Sequence, residues 1–380
     1  MGQKLLVRSV IMLRSNPVAP DSRVEKEARA MFENGYKVTV VAWDRLAIFP
    51  IEETREFGKI QRIPIVAPFG GGLGNLFNLL KWSTLLLAYL LREKSKYEII
   101  HACDFDTVFP ALLMRLLFHK KIVYDIFDFY GDSRNLPFWL RNFVRKIEIW
   151  AIGKADAVIL PDMSRVEQIK GSEPRKVEFI YNSPEKIQCN SNFIRNNSKL
   201  IITYVGLLVR ERGLVEMIDI VARHPDWRLN LAGFGSDEEY ITQYARKVPN
   251  VLLHGRVSYE SALVLSCEAD VLFATYDPAV QNHRYSSPNK LFEAMMLGKP
   301  IIVCEGTGMD VIVKKYGLGF VIKYGDVKSE ELALLEICSW DPKRKEEFAN
   351  KAKAVYEEYF SWRIMKERLI SLYEGLDNLL

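Results

Sequence analysis

The sequence predicts an α/β chain made of two doubly wound, parallel-sheet domains in series. Three observations carry that prediction. Short, nearly continuous apolar runs alternate with helical patterns, as strands buried on both faces of a parallel sheet do. The alternation lapses over an Asn- and Ser-rich stretch at 182–198 and then resumes. In the second run, a helix start bearing a lysine follows a strand end, which is where open α/β sheets hold ligands. At about 100–200 residues per domain, 380 residues accommodate two.

The first residues are interrupted by Arg8 and Arg14 and read as an opening strand rather than a signal peptide. Ser22-x-x-Glu25 has the form of a capping box. Val24, Ala28, Met31 and Phe32 then recur at helical spacing, and Gly35 closes the helix. Val38–Trp43 is the next strand. The tract Leu73–Leu91 is broken by Asn75, Asn78 and Lys81, so it falls short of the roughly 18–20 clean residues of a membrane-spanning helix. It reads as a helix covering a sheet. The other reading has Trp82 and the leucines entering a bilayer interface, with Arg92, Lys94 and Lys96 just beyond. Glu98–Cys103, Ile122–Ile126 and Ala157–Leu160 complete the first set of strands.

After the Asn/Ser stretch, Leu200–Val205, Arg228–Ala232, Val251–His254, Val271–Thr275 and Pro300–Cys304 read as strands. Leu214–Arg223 and Asn289–Leu297 read as helices between them. Two further helices, about Pro342–Phe360 and Trp362–Leu379, have no strand after them. The expected divisions are a domain over 1–186, a linker over 187–199, a domain over 200–360, and a closing helix over 361–380 that packs back toward the first domain.

Composition narrows the class. Hydrophobic residues at 49% and charged residues at 26% exclude a disordered or fibrous chain. A net charge of +4 is too mild to indicate nucleic acid, and no aromatic-and-basic stacking platform is evident. Residues 1–186 carry 28 Lys and Arg against 22 Asp and Glu, a net of +6, while the rest carries −2. An anionic partner or membrane surface therefore suits the N-terminal side. Five cysteines stand singly with no CxxC pair, which gives no zinc spacing and no disulfide framework. The expectation is a reducing, cytoplasmic setting.

The most informative segment is Tyr285–Ile302. Ser287 suits an N-cap and Pro288 the first helical position, which leaves free amides at Asn289 and Lys290 pointing out of a strand end. Lys290 adds a positive charge, and Glu293, one turn on, suits a vicinal diol such as a ribose. The plainer alternative is a capped helix with two solvated charges. Upstream, β-strand residues end at Gly206, and Arg212 at the following helix start is placed to fork onto a diphosphate. Arg210 reads as an ordinary surface residue. The turn Gly233-Phe234-Gly235 either tightens the chain or lets backbone approach a ligand. Arg256 and Val257 follow another strand end on the same side.

In the first half, Asp104-Phe105-Asp106 matches a DxD cation pattern, but Asp106 also suits a helix N-cap. Asp125 and Asp128 end another strand. Asp128 is a candidate to orient an acceptor hydroxyl or act as a weak base, with Asp104 beside it as a second catalytic candidate. Asp125 reads as structural.

In this serial order the segments APDSRVEKEARAMFENGYKVTVVAWD, IIHACDFDT, YVGLLVRERGL, LAGFGSDEEY, HGRVSYE and SSPNKLFEAMMLGKPIIV resemble glycosyltransferase family 4, retaining enzymes of the GT-B fold. The resemblance runs nearly end to end. It implies that Arg212 occupies the position of a diphosphate-binding lysine and that Glu293 is the ribose-binding member of a paired-glutamate motif. It further implies that Ser287 to Lys290 cradle the donor's phosphates and sugar, and that Arg256 and Val257 line the nucleobase. Leu207, Tyr285 and Phe127 depart from the family pattern. Leu207 stands where many members carry a second phosphate-binding Arg, Tyr285 at the first glutamate of the pair, and Phe127 at a His.

The expected function is sugar transfer from a nucleotide-diphosphate-sugar donor to a hydroxyl of a glycan or lipid-linked acceptor, in cell-surface polysaccharide or glycoconjugate biosynthesis. The enzyme would be retaining and metal-independent, with no cofactor, cytoplasmic, and peripheral to the inner face of a membrane through its N-terminal domain. The alternatives are a non-catalytic nucleotide-sugar-binding partner of another transferase, and a GT-B nucleotide-sugar epimerase.

Overall fold

Val10 to Leu13, a run of four apolar residues, is buried and forms the middle of β1 (Ser9–Arg14), around which the first sheet is built. A computed structural model describes residues 8–68, 72–133, 137–187 and 199–378. In chain order the first unit contains α1 (Ser22–Glu33), β2 (Lys37–Asp44), β3 (Glu52–Arg55), β4 (Gly58–Pro64), α2 (Leu76–Arg92) and β5 (Ile99–Cys103). It continues with α3 (Phe105–Phe118), β6 (Lys121–Asp125), α4 (Tyr130–Ser133), α5 (Phe138–Ile152), β7 (Ala157–Leu160) and β8 (Val177–Phe179). The sheet order is β3-β4-β2-β1-β5-β6-β7-β8, parallel except for the β3–β4 hairpin.

The order reverses between β1 and β5, so their carboxyl ends, Arg14 and Cys103, flank the switch point. One face of this sheet is covered by α2, α3 and α5, whose Trp82, Leu86, Met114 and Ile152 are buried against Trp43, Tyr124 and Leu160. Trp82 stacks on Trp43 with ring centroids 5.4 Å apart. This indole is core, so it cannot enter a bilayer, and the interfacial reading of the tract fails for Trp82. The helix covers a sheet, as its interrupted apolar pattern suggested. Among the described residues no helix is long and apolar enough to cross a membrane.

The second unit contains β9 (Leu200–Leu207), α6 (Leu214–Ala222), β10 (Trp227–Phe234), α7 (Glu238–Ala245), β11 (Val251–Gly255), α8 (Tyr259–Glu268) and β12 (Val271–Ala274). It ends with α9 (Asn289–Leu297), β13 (Ile301–Cys304), α10 (Met309–Tyr316), β14 (Gly319–Ile322), α11 (Val327–Cys338) and α12 (Pro342–Val355). Its six strands run parallel in the order β11-β10-β9-β12-β13-β14, with the switch point between β9 and β12.

The last helix, α13 (Trp362–Glu374), joins the first unit by contact from Met365 onward. Tyr373 is buried there, its hydroxyl 2.6 Å from His101 Nδ1 and its ring edge-on to Tyr36. The first unit ends at Tyr181 rather than 186. Asn182 belongs to the second unit, where its amide donates to the Ser287 carbonyl at 2.9 Å. Most of the expected linker, 188–198, lies outside the described residues.

Three local expectations are corrected. The α1 cap is Asp21, not Ser22: Asp21 accepts from the Val24 amide, and Glu25 in turn accepts from the Asp21 amide at 3.1 Å. At α3 the cap position is Asp104, and Asp106 lies inside the first turn, accepting from Ser15 at 3.1 Å. Cys103, Cys304 and Cys338 are free, but Cys267 is disulfide-bonded, because isolated spacing in sequence does not say which thiols the fold brings together.

Candidate functional site

The second unit gathers its charged residues where β9 and β12 part. β9 stops at Gly206-Leu207, and the chain turns through Arg210–Arg212 to Gly213, whose left-handed backbone (φ +65°) caps α6. A side chain at Gly213 would come within 2.2 Å of the Thr275 hydroxyl, so glycine is required for this close pass beside the end of β12. The turn sets the Arg212 guanidinium over the Tyr276 ring, 3.6 Å from its centroid. Arg212 Nε is buried and has no hydrogen-bond acceptor.

From α9, Lys290 reaches the same place. Its ammonium donates to the Val205 carbonyl at 2.8 Å and lies 3.9 Å from the Tyr204 ring and 5.8 Å from the Tyr276 ring. Burial, reinforced by Arg212, holds this ammonium below the usual lysine range, against the pull of Tyr276 and Glu293. Burial drives the Tyr276 phenol up, but Lys290 and Arg212 together bring it below its ordinary value. Among the described residues no carboxylate ion-pairs with either cation. The result is a partly desolvated positive site with an open donor, facing an aromatic ring.

α9 spans Asn289–Leu297, the range read from the sequence, but its cap differs. Pro288, extended at ψ 146°, takes the cap position, so Ser287 does not cap and Asn289 opens the helix. The amides of Asn289 and Lys290 precede the first intrahelical acceptor. Glu293, one turn along, is buried and hydrogen-bonded to the Tyr259 hydroxyl, whose ionisation burial and Glu293 both suppress. Tyr285 is half-buried at the end of the turn Gln281–Tyr285 that precedes α9.

The glycine turn after β10 serves the chain's own packing. A β-carbon on Gly233 would fall 1.7 Å from the Gly206 carbonyl oxygen, and one on Gly235 would fall 2.4 Å from that of Leu208. Phe234 is exposed beneath the Arg256 guanidinium at 4.4 Å, and Val257 is half-buried beside it in sequence. Arg210 faces away, over Tyr240 at 3.8 Å and paired with Asp237. Sequence reasoning missed Tyr276, Tyr204, Tyr259 and His283. His283 Nδ1 donates to the Asp277 carbonyl at 2.9 Å and the ring packs on Tyr276, with burial and then Arg212 holding its pKa below the ordinary histidine value.

In the first unit, Asp104 sits at the β1/β5 switch point with φ +64°, a strained backbone for a residue other than glycine. Its carboxylate pairs with Arg14 and accepts the Phe127 amide at 2.8 Å. Burial pushes its pKa up to about 6, against the pull of Arg14. Asp128 is half-exposed and paired with Arg165 at 3.0 Å. Two guanidiniums approach the Phe127 ring, Arg14 at 4.0 Å and Arg23 at 4.8 Å from its centroid.

Beneath this layer, His101, Cys103 and Asp125 bring potential metal ligands within 4.8 Å of one another. Arg23 already bonds both Asp125 oxygens, at 2.8 and 3.2 Å, and Tyr373 holds His101 Nδ1. A cation placed there would meet a buried guanidinium, so the group fits a structural ion network. Burial and then Asp125 push Glu27 well above the usual carboxylate range, whereas at Asp125 burial is the largest single influence but Arg23 and His101 together overcome it and hold the carboxyl below its ordinary value.

Comparison with known proteins decides the family. Residues 22–183 match the family model described as Glycosyltransferase Family 4, and residues 190–355 match that described as Glycosyl transferases group 1. The chain belongs to glycosyltransferase family 4. Two curated members match it over about half their length. They are the capsular polysaccharide biosynthesis glycosyltransferase CapM of Staphylococcus aureus and a Corynebacterium glutamicum mannosyltransferase. CapM is 27% identical over 50% of this chain and 51% of its own. The second is described as a GDP-mannose-dependent monoacylated alpha-(1-6)-phosphatidylinositol monomannoside mannosyltransferase, and it is 26% identical over 54% of this chain and 51% of its own.

Among solved structures, sucrose-phosphate synthase from Thermosynechococcus elongatus superposes with a TM-score of 0.80 at 17% identity, covering 98% of this chain and 100% of that one. The Anabaena protein HepE, solved with UDP and glucose, gives 0.69 at 15% identity over 97% and 100%. The lipopolysaccharide outer core galactosyltransferase WaaB gives 0.65 at 15% identity over 97% and 99%. These likenesses give this family member the GT-B fold.

Proposed function

We propose that this family 4 member transfers a sugar from a nucleotide-diphosphate-sugar donor to a hydroxyl of a glycan or lipid-linked acceptor in cell-surface polysaccharide or glycoconjugate synthesis. The observation that carries the reading is the convergence of Arg212 and Lys290 on Tyr276 at the second unit's switch point, with Arg212 Nε buried and unbonded. A diphosphate supplies the anionic acceptors that this site lacks. The names of CapM and the mannosyltransferase support a polysaccharide or glycolipid product, and the UDP complexes of HepE support a nucleotide donor.

In this reading the bond between the sugar's anomeric carbon and the β-phosphate oxygen breaks, and the nucleoside diphosphate leaves with the electron pair. A bond from the anomeric carbon to the acceptor oxygen forms, and the acceptor's proton passes to the departing diphosphate oxygen. Arg212, Lys290 and the first amides of α9 stabilise charge building on the departing diphosphate, which is preorganised electrostatic catalysis. Two fixed cations do this work without a metal ion. Glu293 turns from Tyr259 to the ribose hydroxyls, while Arg256 and Phe234 flank the base. Gly206, Gly235, Ser287, Pro288, Asn289, Val257 and Tyr285 shape the same donor site. Asp104 and Asp128 serve the acceptor in the first unit, and transfer proceeds with retention at the inner face of the membrane.

The test is nucleoside-diphosphate release by the purified chain against a panel of UDP-, GDP- and ADP-sugars, with and without a chelator. Release from one donor that survives chelation supports the reading. Binding of a donor without release, with or without metal, identifies a nucleotide-sugar-binding module instead, the reading that Phe127 and Tyr285, standing where the family carries a His and a Glu, would then explain. Absence of any nucleotide binding overturns both.

A further inference from the structure

In α5 the sequence alternates aromatic and basic residues, and the fold turns the aromatic ones outward. Phe138 is 71% exposed, Trp139 70%, Phe143 58% and Trp150 53%. The positions 139, 143, 146 and 150 follow one another along a single helical face, with Lys146 between the aromatic residues. α3 packs against both α5 and α2 and adds exposed Leu116 and Leu117, and α2 adds Phe77 and Leu80. Exposed apolar surface of this breadth marks an interaction site.

The charges on these helices select the partner. α2 contains no acidic residue. In α3 the lone acid, Asp106, sits in the first turn and is held by Ser15. Glu148, the acid of α5, is fully buried, where it accepts the Tyr130 amide. Between α3 and α5 lies a hollow of about 520 Å³ with apolar walls from Leu112, Leu116 and Trp150 and a basic rim from Arg115, Lys154 and Arg175. Asp156, itself buried, balances part of that rim.

We infer that the outer face of α5 and α3 docks the protein on an anionic lipid bilayer, with the tryptophans at the headgroup level and the basic rim against lipid phosphates. Tryptophan at a membrane interface and lysine against anionic headgroups are the pairing such a surface offers. A second copy of this chain is a poorer occupant, because a two-fold interface would set the basic patch against itself. The inference gives the proposed lipid-linked acceptor a location, but its test needs no turnover, so either reading can fail without the other.

The experiment is co-sedimentation of the full chain with vesicles of phosphatidylcholine alone and of phosphatidylcholine mixed with phosphatidylglycerol. The chain is expected to partition onto the mixed vesicles at least about tenfold better. Trp139→Ala with Phe143→Ala should lower that partition about tenfold or more at any salt. Lys146→Ala and Lys154→Ala should each lower it about fivefold at low salt and little at high salt. Thermal midpoints should stay at the parent value, which keeps the lysine variants informative if the aromatic pair disturbs folding. Equal binding of parent and variants, or no binding of the parent to either vesicle, overturns the inference. So does a parent dimer that these substitutions dissociate without vesicle binding.

Discussion

Replacing Lys290 by methionine tests the donor site directly. Methionine keeps the apolar length of the side chain in a position that is only 8% exposed. It removes the ammonium that bonds the Val205 carbonyl at 2.8 Å and sits 3.9 Å over Tyr204. One neutral-acceptor bond contributes about 1 kcal/mol to the fold, so the variant should remain folded. Toward a phosphate the loss is larger, since a hydrogen bond to a charged group contributes about 1.5–3 kcal/mol. That corresponds to roughly 10- to 150-fold weaker nucleoside-diphosphate binding. Arg212→Ala should cost a similar factor. The double variant should cost less than the sum, because both cations share Tyr276 and one bound anion. Calorimetry with UDP and GDP, with uridine and guanosine as phosphate-free controls, measures each term. Undiminished diphosphate affinity in both folded single variants would refute the assignment, whatever the turnover assay reports.

Gly233→Ala should destabilise the second unit by more than about 4 kcal/mol, since its β-carbon would meet backbone at 1.7 Å, whereas Gly35→Ala, with open space around it, should cost only about 1–2 kcal/mol; chemical denaturation separates the two. Trp82→Ala should cost about 3–5 kcal/mol by thermal or denaturant unfolding, and a cost under 1 kcal/mol would contradict its place against Trp43. Burial raises Glu148 to about 8, so between the unfolded pKa near 4.5 and about 8 the unfolded chain binds fewer protons than the folded one, and stability falls as pH rises through that window, by at most about 5 kcal/mol. Glu148→Gln should remove that share, and a thermal midpoint that falls equally in parent and variant between about pH 5 and pH 8 would show that Glu148 is not its source.

The parallel strands were legible because burial on both faces leaves a run such as Val38–Trp43 almost wholly apolar. β3 was not, because its four residues, Glu52 to Arg55, form an edge hairpin and are polar or exposed throughout. The caps of α1 and α9 were legible to within a residue, whereas the α3 cap lies two residues before Asp106. Asp21 displaced Ser22, and Pro288 displaced Ser287, because the side chain that wins the cap depends on the backbone angle at which the loop arrives. Arg212, Lys290 and Glu293 could be nominated from their places at strand ends and helix starts. Tyr276 could not, since a tyrosine after a strand carries no signal until the turn at Gly213 lays Arg212 on it. The same holds for Arg14 and Asp104, 90 residues apart, whose pairing is a product of strand order alone.

The two units place the same kinds of residue at equivalent points of their sheets, yet reach opposite electrostatic outcomes. Each sets an arginine against an aromatic ring where the strand order reverses, Arg14 on Phe127 and Arg212 on Tyr276. Arg14 is neutralised by Asp21 and Asp104, so its switch point is charge-balanced and holds a carboxylate whose pKa burial has lifted toward 6. Arg212 has no carboxylate partner among the described residues and is joined there by a second cation, Lys290. Net positive potential in a desolvated recess is what a diphosphate requires, and a hydroxyl does not. A hydroxyl is better served by a hydrogen-bond acceptor with a poised pKa, which among the described residues Asp104 presents at the first unit's switch point. Under the proposed function, this difference in neutralising carboxylates, rather than any difference in fold, is what favours the donor at the second unit and the acceptor at the first.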